Sequence, residues 1–414
     1  MSKKILIHSI AFSPDGVSTA YLYNDIALRF KEAGFEVVVL TTTPHYNVIE
    51  TEKQKQPLQK KVLGLYYESD FNGIKVKHVY QKKYKSTTLR LLGFIYWHLI
   101  SFFLGLFEKK VDIILSPSPP LTIGVLNILI GKIKGSKIIY NVQEIYPDLL
   151  IEEGGLRSSI VISFFKWMER FVYNHSDAVT TIDEIFYNTI VGRFKVPSKL
   201  HIIPNFVDTD IYHPIKEAPD LDPDLFPETT SLKLMYAGNI GHAQDWKPLI
   251  ELAEELKNED IEFFVIGEGT MRDFLRKEKE RRGLNKIHLI PYQPRELMPH
   301  LLAYSDAQFI FMAPETEGHG FPSKVYTIMA CARPLIVCSG ENTPIVNFLK
   351  DKDCAYLFTE KDITGKVNEI ASLLKEASMD DFRVKGNNGL QYIANYYAKD
   401  IVTKKYIDVA NSLL

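Results

Sequence analysis

The chain has 414 residues, 46% of them hydrophobic and 24% charged, which is enough apolar material for a globular protein of two or three domains. A net charge of −2 excludes a general role on nucleic acid, where counterion release needs a concentrated basic surface. The three cysteines, Cys331, Cys338 and Cys354, form neither a Cys-x-x-Cys pair nor a metal-ligand spacing, and they read as reduced thiols.

The N-terminal MSKKILIHSIAF runs from a basic start directly into a strand pattern, with no small-residue cleavage site, so a cytoplasmic protein is expected. A loop, Ser13-Pro14-Asp15-Gly16-Val17-Ser18, leads into a helix at 19–34 with Gly34 as its C-cap, and a second strand follows at 35–44. Leu89 to Phe107 is apolar, about long enough to span a bilayer, and framed by Lys82, Lys83 and Lys85 before and Lys109 and Lys110 after. Arg90 and His98 lie inside it. Three readings stand: a buried core helix, a helix that also rests on an anionic membrane surface, and a spanning helix. A strand at 111–119, a helix at 121–135 and a strand at 136–147 come next. Strands of continuous Val, Ile and Leu joined by helices predict a parallel, doubly wound sheet.

After LHIIPNFVDTD at 200–210, and a proline-rich excursion at 216–231, a second set of units begins. It reads as strand 232–241, helix 245–258 with Leu249, Leu252 and Leu256 at helical spacing, strand 261–270, helix 271–283, and strands near 286–294, 307–314 and 334–340. The predicted architecture is α/β, with two Rossmann-like domains, 1–205 and 206–390, facing a cleft where the carboxyl ends of the sheets meet. A terminal helix at 391–414 is placed to pack back on the first domain.

Three constellations carry chemistry. Asp15 and Gly16 stand between the first strand and helix, where backbone N–H groups meet an anion or hydroxyl; a simple capped turn fits equally. The run Tyr236-Ala237-Gly238-Asn239-Ile240-Gly241 brackets a strand-to-helix turn with two glycines, a geometry that places a diphosphate against free N–H groups. In Pro314 to Ala330 a glycine-rich loop with acids and a histidine leads to Pro322-Ser323-Lys324 at a helix start. A cation there opposes the helix dipole unless a phosphate binds at the same point.

GNIGHAQD, then VIGEGTMRDFL, then GHGFPSKVYTIMACARPLIV resemble the donor half of the retaining family-four glycosyltransferases. The resemblance is nearest to the branch of bacterial L-fucosamine transferases of O-antigen and capsule assembly. FSPDGVSTAYLYNDIALRFKEAGFEVVVLTTTPHYN, SPSPPLTIG, VQEIYPD and HIIPNFVD extend the likeness over nearly the whole chain. It implies a B-type glycosyltransferase fold with the nucleotide sugar on the second domain and the acceptor on the first. Gly238, Asn239 and Gly241 would border the diphosphate, Gly267, Glu268 and Gly269 would lie under the nucleoside, and Tyr292 and Gln293 near the base. Glu317, Gly318, His319 and Gly320 would face the sugar, with Glu317, His319 and Glu144 carrying catalysis. Ser323 and Lys324 would meet the phosphates, while Asp15, Gly16, Glu144 and Asp148 would line the acceptor side.

Two departures qualify that map. The family's second glutamate, on the ribose, falls at Thr327, and its phosphate-binding Arg and Lys after the glycine turn are replaced by Ala243-Gln244-Asp245. The histidine often found in the first domain is Gln143 here. The Asp-x-Asp pairs at 208–210 and 222–224 lie between the domains, so no metal and no cofactor beyond the nucleotide diphosphate sugar, with UDP favoured, is expected. The expected acceptor is a polyprenyl-diphosphate-linked saccharide, and 82–110 is the expected peripheral contact with the inner face of the plasma membrane. The rivals are a sugar-nucleotide 2-epimerase of the same fold and a non-catalytic binding protein.

Overall fold

The computed structural model describes residues 2–414 apart from 84, 153, 216, 218, 219 and 318–320. The chain folds as two compact units, one of Met1–Asn205 with Lys399–Leu414 and the other of Phe206–Ala398.

The first unit holds strands β1 (Lys4–His8), β2 (Glu36–Thr42), β3 (Gln59–Lys61), β4 (Tyr66–Phe71), β5 (Ile74–Val79), β6 (Ile113–Ser118), β7 (Lys137–Val142), β8 (Ala178–Thr181) and β9 (Leu200–Ile202). They form one sheet in the order β3-β4-β5-β2-β1-β6-β7-β8-β9. β3, β4 and β5 pair antiparallel and the remaining neighbours parallel. The helices are α1 (Ser18–Glu32), α2 (Glu50–Lys55), α3 (Thr87–Phe107), α4 (Leu121–Lys134), α5 (Asp148–Glu152), α6 (Ser159–His175) and α7 (Glu184–Ile190). Every residue of β1 and β6 is buried, as a parallel strand covered on both faces requires.

α1 ends where Gly34 takes φ +85 and lets the Phe35 N–H reach back to the Phe30 carbonyl. The Phe30 and Phe35 rings then meet edge-on at 5.2 Å, the apolar contact that accompanies this cap. The apolar segment is helix α3, and of its most apolar 18-residue stretch only 17% is buried. Trp97, Ser101 and Gly105 make its inner flank and the opposite flank is exposed, so it is not the enclosed core helix that was one of the three readings.

The second unit holds β10 (Leu232–Ala237), α8 (Lys247–Glu255), β11 (Ile261–Ile266), α9 (Arg272–Arg282), β12 (Ile287–Ile290), α10 (Met298–Tyr304), β13 (Ala307–Phe311), α11 (Lys324–Ala330), β14 (Leu335–Cys338), α12 (Pro344–Leu349), β15 (Ala355–Phe358), α13 (Ile363–Glu376) and α14 (Met379–Tyr396). Its sheet is wholly parallel, in the order β12-β11-β10-β13-β14-β15, that of a dinucleotide-binding fold. Residues 391–396 are the end of α14, which packs on α11 within this unit. The segment in the first unit is α15 (Lys399–Ser412), packed on α1. The three cysteines are buried free thiols, with Cys331 pushed up to about 12 and Cys354 to about 11 by burial.

Both sheets reverse their winding once. In the first unit the loops after β1 and β6 flank that reversal, and in the second the loops after β10 and β13 do. Doubly wound sheets bind ligands outside the strand ends at such points.

Candidate active site

In the second unit the loop after β10 is locked to the loop after β11. The Gly238 N–H donates to Ile266 O, the Ile240 N–H to Glu268 O and the Met271 N–H to Ile240 O, all at 2.9 Å. A Cβ on Gly267, at φ +137, would sit 2.0 Å from Gly238 O, and one on Gly269 would sit 2.2 Å from Ile240 O. Gly267 and Gly269 are therefore needed by backbone meeting backbone. The far side of the Gly241 turn is held by Trp246, whose Nε1–H donates to Gly241 O at 3.0 Å. Asn239 offers its carbonyl to the Tyr236 hydroxyl at 2.8 Å.

Against this clamp comes Lys324, the first residue of α11. Its Nζ donates to Ala237 O at 3.0 Å, lies 3.7 Å from the centre of the Tyr236 ring, and would be 2.5 Å from a Cβ on Gly238. Among the described residues no carboxylate pairs with it, and desolvation pushes its ammonium down to about 7. A cation is thus held at the end of β10, beside the reversal of the sheet, with an aromatic face and a carbonyl as its partners.

Glu317 is placed by the loop after β14. Its Oε2 accepts from the Gly340 N–H at 2.7 Å and from Ser339 Oγ at 3.1 Å, and Ser339 also bonds Thr343. Thr327, the position expected on the ribose, donates its hydroxyl to Lys324 O at 2.8 Å, within its own helix; a ligand meets it only as an acceptor. Ser323 is exposed just before α11. Glu268 is paired loosely with Arg272, 3.7 Å away. Tyr292 is 67% exposed and the Gln293 amide turns to Pro291 O; both follow the edge strand β12. Gly318, His319 and Gly320 lie outside the described residues. The Asp-x-Asp pairs form local turns, Asp208 accepting from the Asp210 N–H and Asp222 from the Asp224 N–H, each at 3.0 Å.

In the first unit, Asp15, expected on the acceptor side, is engaged by the protein's own backbone. It is buried, its Oδ1 accepts from the His45 and Tyr46 N–H groups at 2.8 Å each, and burial pushes its carboxyl up to about 6. Gly16 donates to Asn47 O at 2.9 Å, and a Cβ there would lie 2.6 Å from that oxygen. The two residues staple the loop after β1 to the loop after β2. Asp148 is likewise engaged: Arg193 bonds it through Nη2 and bonds the buried Glu169 through Nη1, both at 2.5 Å. Burial pushes Glu169 up to about 7. Neither Arg193 nor Glu169 was singled out in the sequence, since no short motif links positions so far apart. Gln143 is fixed between Asn141 and Asn205, at 2.6 and 2.9 Å. Glu144, by contrast, is half-buried with no partner on its carboxylate among the described residues, and only its backbone oxygen is held, by Ser118.

Residues 20–211 match the family model described as Glycosyltransferase Family 4, and residues 219–388 that described as Glycosyl transferases group 1. WcaI of Escherichia coli (strain K12), described as a colanic acid biosynthesis glycosyl transferase, is 24% identical over 83% of this chain and 84% of its own. WbjE of Pseudomonas aeruginosa, described as a glycosyltransferase, is 21% identical over 74% of this chain and 76% of its own. The crystal structure of HepE from Anabaena in complex with UDP superposes with a TM-score of 0.70 at 12% identity, over 99% of this chain and all of that one. The chain is a glycosyltransferase of B-type fold, matched by one glycosyltransferase model over residues 20–211 and by another over residues 219–388.

Proposed function

We propose that the protein transfers a hexosyl group, N-acetylated or deoxy, from a UDP-sugar to a polyprenyl-diphosphate-linked saccharide in bacterial surface polysaccharide synthesis. The observation that carries the donor half is Lys324, a desolvated ammonium with no carboxylate partner among the described residues, at the end of β10. A diphosphate is the ligand whose charge such a group lacks, and the UDP in the HepE structure and the colanic acid description of WcaI support the substrate class.

In this reading the bond between the anomeric carbon and the diphosphate breaks while the acceptor hydroxyl oxygen bonds to the same carbon, with retained configuration. Lys324 neutralises the departing diphosphate, so no metal is needed for that step. Glu317, fixed by Ser339 and Gly340, and His319 face the sugar; Glu144, whose carboxylate is unengaged, takes the proton of the acceptor hydroxyl. Thr327 receives a ribose hydroxyl. The enzyme works on the cytoplasmic side of the plasma membrane, in contact with it through 82–110.

The test is thermal stabilisation by UDP, GDP, ADP and their sugar conjugates, with and without Mg²⁺. Selective stabilisation by UDP compounds, unchanged by Mg²⁺, is expected; ligand at about a hundred times its Kd adds roughly 2.7 kcal/mol. A flat panel, or conversion of the nucleotide sugar to its epimer with no acceptor present, would overturn the reading.

A further inference from the structure

The first unit carries an outer surface that a water-soluble face does not explain. The steps from β5 to β6, β6 to β7 and β7 to β8 all move across the sheet in one direction, so right-handed crossovers put α3, α4 and α6 on one face. They lie side by side, α4 packed against α3 on one flank and α6 on the other. Their outward residues are apolar on all three. α3 exposes Leu92, Ile95, Leu99 and Phe103, and α4 exposes Leu129 and Ile133. α6 exposes Ile160, Phe164 and Trp167, the last two stacked at 5.9 Å. Beside α3, which is joined to it by a bond from the Tyr96 hydroxyl to Leu65 O, the turn from β3 to β4 shows Val62 and a fully exposed Leu63, both at positive φ. A patch on this scale marks an interaction surface.

Charge selects the occupant. α3 and α4 contain no Asp or Glu, and the one acid of α6, Glu169, is buried against Arg193. Of the lysines and arginines of the same helices, Arg90, Lys132, Lys166 and Arg170 are exposed, while Lys134 is half-buried and donates to Leu106 O and Glu108 O. Apolar and aromatic side chains among cations with no exposed anion are complementary to the headgroup layer of an anionic bilayer.

α3 is also held in the protein. A Cβ on Gly105 would lie 2.8 Å from Ile130, and the His98 ring bonds Thr122 of α4 at 2.8 Å, so one flank is sealed to its neighbours. We propose that α3, α4 and α6, with the β3–β4 turn, form one flat face that docks on an anionic phospholipid bilayer without crossing it. The inference deepens the membrane contact of the proposed function and rests on it only for the location of the acceptor.

Trp167 gives the test. The other two tryptophans, Trp97 and Trp246, are buried, so a change in emission on adding vesicles reports α6. Phosphatidylcholine vesicles containing phosphatidylglycerol should shift the full chain's emission to the blue and carry it to the top of a flotation gradient, an effect lost at high salt. Pure phosphatidylcholine should bind at least about tenfold more weakly. The double substitution Phe164→Glu and Trp167→Glu, and separately Leu99→Glu, should each abolish flotation; these side chains are exposed, so melting temperature and stabilisation by UDP should stay as in the parent.

No binding to anionic vesicles, or binding unchanged in both variants, overturns the proposal. So does resistance to alkaline extraction from membranes, which means a spanning helix, or a dimer in light scattering that the same substitutions dissociate. A protein that floats yet ignores every nucleotide leaves the docking face standing and removes the transferase reading.

Discussion

Burial disfavours the charged form of Lys324 in the folded protein, and pH exposes this. Its free-state value of about 7 lies below the ordinary 10.5, so from pH 7 to 10.5 the unfolded chain holds a proton that the folded chain does not. Stability rises with pH across that window, and the destabilising charged form is present below it. A bound diphosphate restores the charge, so nucleotide binding should take up a proton above pH 7 and weaken as pH climbs. Calorimetry in buffers of different ionisation enthalpy reads both effects. Lys324→Met should weaken UDP-sugar binding roughly ten- to hundredfold, as the loss of a charge-assisted bond of about 1.5–3 kcal/mol implies, and should melt no lower than the parent at pH 6. The sequence pointed to this lysine because a cation at a helix start is out of place. It could not show that Asp15 and Asp148, of equally suitable type, are already engaged by His45, Tyr46 and Arg193, because those partners are brought in by the fold.

At the level of elements, the clamp between the loops after β10 and β11 makes a sharp prediction. Gly267→Ala puts a methyl group 2.0 Å from Gly238 O at φ +137, so the loops must part. A loss of about 1–3 kcal/mol is expected, seen as a lowered midpoint in denaturant, together with weaker nucleotide binding. The same substitution at Gly192, where a Cβ meets nothing, is the control. The βαβ units around these loops were legible because parallel strands buried on both faces read as unbroken Val, Ile and Leu. The hairpin of β4 and β5 is signalled in the sequence only by its Asn72-Gly73 turn, both residues at positive φ. The apolar run of α3 is visible in the sequence, but composition does not say which flank the sheet covers; the exposed side of α6 becomes evident only in three dimensions.

For the whole molecule, the second unit is an insertion between the body of the first and its last helix. α15 buries Val402, Tyr406, Ile407 and Ala410 and packs on α1. Ending the chain at Ala398 should therefore destabilise the first unit by several kcal/mol, at about 1.5–3 kcal/mol for each large apolar side chain uncovered. Phe206–Ala398 should keep its nucleotide-dependent stabilisation, so calorimetry of the shortened chain should resolve two transitions where only the upper one responds to UDP.

The insertion also fixes an order of events during synthesis. While the ribosome makes residues 206–398, the first unit is present in all but its final helix, and the side of α1 that α15 will cover has no cover. The portion made first is completed last, and a nascent chain arrested before residue 399 should offer that side of α1 to protease until the closing helix emerges.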